Sequence, residues 1–300
     1  MKYFGYGSNL DLDDWKDWCQ RNEKNPNSIN ALPGIFILPD HELSFHYYSG
    51  GRGGGALDVV SQIGHAVAGK LFEVSDGYDA LDKKEGAPNY YERKEVQVLS
   101  ENGETQSAIT YVVTSGKIKT DSLGNEQHQR PGPGYLEAVE KGYENFGISK
   151  MYPWAIKQLR ASGKGFVKNS GVEHLFTYGT LREGEERAFI LSEFSKKIWK
   201  DCKVKGNLIE LYGNFPGLIE GEDLVVGEIH HTPNIMEALE KLDVIEGFYG
   251  YGKENSLFRR VLVRCNDIDC WTYLWAGKPD AGQIIESGDW CMRKKGGENE

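Results

Sequence analysis

Apolar and polar positions along this chain fall into short alternating runs, and the runs come in two similar sets. The first set opens with an apolar, aromatic stretch from Tyr3 to Tyr6, read as a strand that runs into a Gly7-Ser8-Asn9 turn. A helix from Asp11 to about Arg21 follows, because Trp15 and Trp18 share a face at i, i+3. Strand-like runs come next at Gly34–Leu38, Leu43–Tyr48, Ala56–Val60, Val67–Glu73, Glu95–Leu99 and Ala108–Val113. Between the fourth and fifth of these the pattern predicts a helix with Ser75 as N-cap and Gly86 as C-cap. Two helices close the set, one entered at Pro133 and ending near Gly147, the other running from about Met151 to Ala161. The polar stretch Lys117–Arg130 reads as a surface loop.

A glycine-bearing, mixed-charge linker at Gly163–Glu173 precedes the second set, which repeats the plan in shorter form. Its elements are a strand His174–Tyr178, a helix Gly184–Glu193, strands near Lys205–Leu211 and Val225–His230, and a helix started by Thr232 and Pro233 that ends at Gly247. Strands Arg260–Arg264 and Cys270–Trp275 come after it, and the Lys-Gly-Gly-Glu-Asn-Glu end is expected to fray. The expected domains are 1–165 and 173–293. Strands flank isolated helices without regular βαβ alternation, which favours mixed, barrel-like α+β domains over doubly wound ones.

Composition narrows the function. A chain of 300 residues accommodates two ordinary cores, and 39% hydrophobic with 12% aromatic residues is globular rather than disordered. No apolar run approaches the length of a membrane span, and Met1 to Gly7 lacks the apolar core of a signal peptide, so a cytoplasmic location is the simplest expectation. The five cysteines, Cys19, Cys202, Cys265, Cys270 and Cys291, contain no Cys-x-x-Cys pair, so neither a disulfide framework nor a zinc site follows. A formal charge of −10 disfavours nucleic acid and anionic membranes as partners and leaves a small molecule.

The candidate chemistry lies in what repeats. Tyr-Gly-Ser-Asn-Leu occupies Tyr6–Leu10 and Tyr-Gly-Thr-Leu occupies Tyr178–Leu181, and each is followed by Leu-Asp-x-x-Glu-Gly, at Leu81–Gly86 and Leu242–Gly247. A glycine turn after a buried strand lets a ligand approach the backbone, and its amides favour a carboxylate or a developing oxyanion, although a turn needed only for the fold would look the same. Glu85 and Glu246 each stand at a helix C-terminus, where the dipole and burial raise the carboxylate pKa and make it a better proton acceptor. A solvated glutamate before a capping glycine is the plain alternative. Asp82 and Asp243, three residues earlier, are assigned to local structure. The Gly50 to Gly55 run around Arg52 lacks the Gly-Lys-Ser/Thr of a nucleotide loop and is read as a flexible flap or a close-packed backbone segment. His230 and His231 have no ligand-spaced partners, and Ser8 has no persuasive Ser/His/Asp set.

These residues resemble the γ-glutamylcyclotransferase superfamily, including its AIG2-like and γ-glutamylamine cyclotransferase members. In the first half the resemblance rests on Tyr3–Leu10, Gly54–Val60, Leu81–Gly86 and Pro131–Tyr135, and in the second on Phe176–Leu181, Phe215–Leu218, Gly227–Ile229, Leu242–Gly247 and Phe258–Val261. It implies two tandem domains, each a small mixed β-barrel with flanking helices, releasing 5-oxoproline from γ-glutamyl amides without cofactor or metal. The resemblance assigns Glu85 and Glu246 as the general acid/base groups. It also assigns Tyr3, Phe4, Gly5, Tyr6, Gly7, Ser8, Asn9 and Tyr135, and Tyr178, Gly179, Thr180 and Leu181, as substrate-binding. The alternatives are a module that senses γ-glutamyl metabolites, or a chain in which one domain alone is active. Arg52 within its glycine run and the long 117–130 loop depart from the pattern and are expected to reshape the leaving-group side of the pocket.

Overall fold

A computed structural model describes residues 1–165 and 172–295, and the chain divides into two compact units, Met1–Gly171 and Val172–Glu300. The first contains β1 (Lys2–Gly5), α1 (Leu12–Arg21), β2 (Ile29–Ala31), β3 (Phe36–Ser49), β4 (Gly54–Val74), α2 (Asp79–Glu85), β5 (Tyr91–Leu99), β6 (Thr105–Val113), α3 (Tyr135–Asn145), α4 (Ile148–Met151) and α5 (Pro153–Gly163). The second contains β7 (His174–Thr177), α6 (Ala188–Ser192), β8 (Lys197–Leu211), β9 (Phe215–His231), α7 (Ile235–Ile245), β10 (Phe258–Cys265), β11 (Ile268–Trp275) and β12 (Gly282–Ile284).

Each unit is a small mixed β-barrel with flanking helices. In the first, the sheet order β1-β6-β5-β3-β4-β2 closes on itself because β1 also pairs with β4. The second follows the order β10-β11-β7-β9-β8-β12, so β7 lies between a parallel β11 and an antiparallel β9 as β1 lies between β6 and β4. Matching hydrogen bonds fix the correspondence. Thr110 donates to the Phe4 carbonyl (2.9 Å) as Thr272 does to Phe176 (2.8 Å), and the Tyr6 hydroxyl donates to the Tyr111 carbonyl (2.7 Å) as Tyr178 does to Tyr273 (2.7 Å). Fully buried side chains form the cores, among them Phe4, Phe45, Leu71 and Phe72 in one unit and Phe176, Leu208, Leu218, Val261 and Trp290 in the other.

Several boundaries differ from the sequence reading for identifiable reasons. The runs read as separate strands at 34–38 and 43–48 belong to the one strand β3, whose register shifts near Pro39/His41 and Ser44/Tyr47, with Asp40 at φ 55°, break the period-two alternation. Likewise β4 joins the third and fourth runs, and β8 begins eight residues earlier than expected, at Lys197, past a bulge where Asp201 has φ 57°. Ser75 does not cap α2: its amide bonds the Ser28 carbonyl (3.1 Å), and Tyr78 holds the N-cap position. Thr232 and Pro233 lie ahead of α7, whose N-cap is Asn234, and the helix expected over 184–193 contracts to Ala188–Ser192.

The glycine run divides into an open turn and a close-packed segment. Gly50–Arg52 form the turn between β3 and β4 with open space around Gly50 and Gly51, whereas a Cβ on Gly54 would fall 2.4 Å from the Gly132 nitrogen. The 117–130 loop is stitched to β3 by the Lys119 amide on the His46 carbonyl (2.8 Å) and the Gln129 amide on Phe45 (2.6 Å). Of the expected linker, residues 166–171 lie outside the described residues, as do the last five of the C-terminal stretch.

Candidate active sites

The two Leu-Asp-x-x-Glu-Gly segments build the same device. Each forms the last turn of a short helix, α2 or α7, and the glycine after the glutamate turns the chain in the left-handed region, Gly86 at φ 67° and Gly247 at φ 59°. The aspartate one turn earlier is clamped by an arginine from the next strand and a tyrosine from the strand after it. Asp82 accepts from Arg93 Nε (2.8 Å) and Nη2 and from the Tyr111 hydroxyl (2.6 Å), and Asp243 accepts from Arg260 Nη1 (2.9 Å) and the Tyr273 hydroxyl (2.6 Å). Burial acts to raise the Asp82 carboxyl, but Arg93 and Tyr111 outweigh it and hold the group below the usual carboxylate range. The assignment of the two aspartates to local structure fits this geometry, and the arginine and tyrosine partners were not singled out from the sequence. Aligning the two halves could have found them: Arg93 and Arg260 each stand two residues into a strand, and Tyr111 and Tyr273 each two before the end of one.

With the aspartate fixed, Glu85 and Glu246 are carried against the Tyr-Gly loops. Glu85 lines two adjoining cavities, of about 370 and about 30 Å³, that share Ser8, Asn9, Tyr91 and Tyr135. Tyr3, Tyr6, Gly7, Leu57 and Tyr111 complete the small inner one, and Tyr47, Tyr90, Arg52 and Lys83 help to form the outer one. Glu246 lines one cavity of about 140 Å³ with Tyr178, Gly179, Thr180, Leu181, Arg187, Phe215, Pro216, Phe258 and Tyr273 among its walls. Two of the expected contact residues lie elsewhere. Phe4 is fully buried in the barrel interior, and Gly5 packs against Phe72 and Tyr3, so neither lines a cavity. The sequence reading missed Arg187, Tyr47, Tyr90, Tyr91 and Phe258 as cavity walls, since loops and neighbouring strands deliver them.

The two carboxylates sit in different surroundings. Asn9 Nδ2 donates to Glu85 Oε1 (2.6 Å) and to the Tyr3 hydroxyl (2.9 Å), while Asn9 Oδ1 is buried with no hydrogen-bond partner among the described residues. Tyr135 and Tyr91 flank this group, their hydroxyls bonded to the Leu57 amide (3.2 Å) and carbonyl (2.9 Å). The equivalent positions in the second unit are apolar: Leu175 for Tyr3, Leu181 for Asn9 and Phe258 for Tyr91. Among the described residues no group donates a hydrogen bond to the Glu246 carboxylate. Burial raises both glutamates. For Glu85 the lift is opposed by Asn9, Lys84 and Arg52, whereas Glu246 is pushed up to about 7, with Arg187 opposing and Asp243 adding to the rise.

A buried carboxyl of raised pKa beside a Tyr-Gly loop thus recurs in both units. The sequence profile of the family described as gamma-glutamyl cyclotransferase, AIG2-like, matches residues 3–132 and 175–292, and the chain belongs to this family. Its curated relatives include gamma-L-glutamyl-butirosin B gamma-glutamyl cyclotransferase of Niallia circulans, 31% identical over 117 residues that make up 38% of this chain and 70% of that protein. The gamma-glutamylcyclotransferase family protein YtfP of Escherichia coli K12 is 26% identical over 121 residues, 40% of this chain and 98% of its own. A solved structure titled gamma-glutamyl cyclotransferase aligns at a TM-score of 0.42 and 24% identity, covering 54% of this chain and 86% of the other. No helix among the described residues is long and apolar enough to cross a membrane.

Proposed function

We propose that each unit is a γ-glutamyl cyclotransferase that converts a γ-glutamyl amide into 5-oxoproline and a free amine. The observation that supports this most is the duplicated pairing of one half-buried glutamate of raised pKa with the Tyr-Gly loop, in a cavity, on a clamped helix turn. In the reaction the substrate's α-amino nitrogen attacks its own γ-carbonyl carbon, a five-membered ring closes, and the amide C–N bond to the leaving amine breaks. Glu85 or Glu246 takes a proton from the ammonium and returns one to the departing nitrogen. A raised pKa narrows the gap to the ammonium and makes the carboxylate a better base. The loop amides hold the glutamyl carboxylate or the carbonyl oxygen, and orienting nitrogen against carbonyl supplies much of the acceleration.

Mass spectrometry of products from a panel of γ-glutamyl amino acids, peptides and amines tests the reading. Wild-type protein should release 5-oxoproline, Glu85→Gln and Glu246→Gln should each lose the substrates of one unit, and the double variant should release none. Full release by the double variant would remove both glutamates from the mechanism. Saturable binding without product would make the chain a sensor of these metabolites.

A further inference from the structure

The glutamates and their clamps occupy equivalent positions in the two units, but the arginines that line the two cavities do not. Arg52 comes from the turn between β3 and β4, ahead of its glutamate's helix by about thirty residues of chain. Arg187 comes from the loop that directly follows Tyr-Gly-Thr-Leu. Both adjoin the Tyr-Gly loop of their unit, Arg52 through its guanidinium and Arg187 through its backbone. Arg52 Nη2 donates to the Ser8 hydroxyl (2.9 Å) with its guanidinium 4.7 Å from the Tyr135 ring centre, and the Arg187 amide donates to the carbonyl of Thr180 (2.8 Å), the residue equivalent to Ser8. Each arginine lines the cavity that holds its unit's glutamate, and among the described residues neither pairs with a carboxylate. In the second cavity Arg187 is the one cation among the described lining residues, since Val244 and Ile245 stand where the first unit has Lys83 and Lys84. In the first, Lys84 is committed to Asp14 at 2.7 Å.

We infer that Arg52 and Arg187 are the anchors for the α-carboxylate of the γ-glutamyl group, one in each site, supplied by non-equivalent loops. This rests on the cyclotransferase reading for the identity of the ligand. A γ-glutamyl group carries its ammonium and its carboxylate on a single carbon, so once the ammonium faces the glutamate the carboxylate falls against the adjacent wall. That wall carries the arginine in both cavities, and a planar guanidinium matches a carboxylate with two parallel hydrogen bonds. With the carboxylate held there, the loop amides are left for the carbonyl oxygen, where negative charge develops as the ring closes. The arginines therefore act as positioning and specificity groups, and the proton transfer stays with the glutamates.

The probes are 5-oxoproline and 2-pyrrolidinone, the same ring with and without the carboxylate, titrated into the full-length protein by calorimetry. Wild type should bind two equivalents of 5-oxoproline and prefer it to 2-pyrrolidinone. Arg52→Met and Arg187→Met should each weaken one of the two equivalents by about tenfold to a hundredfold, the double variant should weaken both, and 2-pyrrolidinone binding should not change. Arg→Lys variants should recover part of the loss, and unchanged thermal melts of these exposed positions establish that the variants are folded. A wild type with no preference for 5-oxoproline, or methionine variants that keep both equivalents at full affinity, would overturn the inference. Both probes are unreactive, so a protein that binds 5-oxoproline through its arginines yet turns nothing over would sink the cyclotransferase reading while leaving this one standing.

Discussion

The first site is polar and crowded with hydroxyls, the second has more apolar walls, and yet the two hold the same carboxyl on the same turn of helix. Asn9, Tyr3, Tyr91 and Tyr135 surround Glu85, and Leu175, Leu181, Phe215 and Phe258 wall the cavity of Glu246. The contrast separates two jobs. Placement comes from the Asp-Arg-Tyr clamp, which both units share, and proton affinity comes from the walls, which they do not. Even the clamp differs in depth: the Arg93 side chain is 42% exposed, whereas Arg260 is 1% exposed, packed among Phe248, Tyr251 and Trp271.

The largest effect expected is on turnover. Glu85→Gln and Glu246→Gln should each lower the rate of their own unit by about 10²- to 10⁴-fold and leave the other unit's rate unchanged, which product assays with substrates of both units would check. Cross-talk between the variants would break the picture of two independent sites. Next comes the clamp. Asp243→Asn removes the counter-charge of a fully buried arginine and should cost about 3–5 kcal/mol in urea unfolding, whereas Asp82→Asn beside the half-exposed Arg93 should cost about 1 kcal/mol or less. Equal losses would show that depth of burial is not what distinguishes the clamps.

The pH dependence sharpens the comparison further. A general base works deprotonated, so with Glu85→Gln protein, in which only the second unit turns over, the rate should fall as pH drops through about 7. With Glu246→Gln protein the first unit's rate should also fall toward acid pH, because burial raises the Glu85 carboxyl as well. Stability should answer in the opposite sense. A carboxyl whose folded pKa is raised contributes stability below its unfolded pKa and loses it as pH rises through the folded value. Glu246→Gln should therefore unfold about 1–2 kcal/mol later than wild type at pH 8 and match it near pH 4, as thermal melts at the two pH values would show. The smallest effect belongs to Asn9→Ala, which removes the hydrogen bond that lowers Glu85 and should move the first unit's acid limb up by at most about one pH unit. A downward shift would contradict the role given to Asn9.

Much of this was legible in the chain because the duplicated motifs are local. Tyr6-Gly7 and Tyr178-Gly179 leave a strand, Glu85-Gly86 and Glu246-Gly247 end a helix, and each follows from neighbours in sequence. The long bent strands were harder, since bulges near Asp40 and Asp201 break the alternation on which strand boundaries are read. Partners delivered from distant elements left no local signal at all: Arg93 and Tyr111 meet Asp82 only when β5 and β6 close the barrel beside α2. Phe4 and Gly5 share a motif with Ser8 and Asn9, but Phe4 is buried in the core and Gly5 lies against Phe72 and Tyr3, so neither is among the cavity walls.

The short turn between the clamped aspartate and the glutamate acts as a stiff lever of fixed length. Because the fulcrum is gripped by its own arginine and tyrosine, the working end needs no grip of its own, and in the second unit it has none among the described residues. An acid that is held from behind can stay hungry for protons without wandering. Two halves built on such a lever can differ in the rest of the chamber, as these do at Leu175, Leu181 and Phe258, while the glutamate stays where it was.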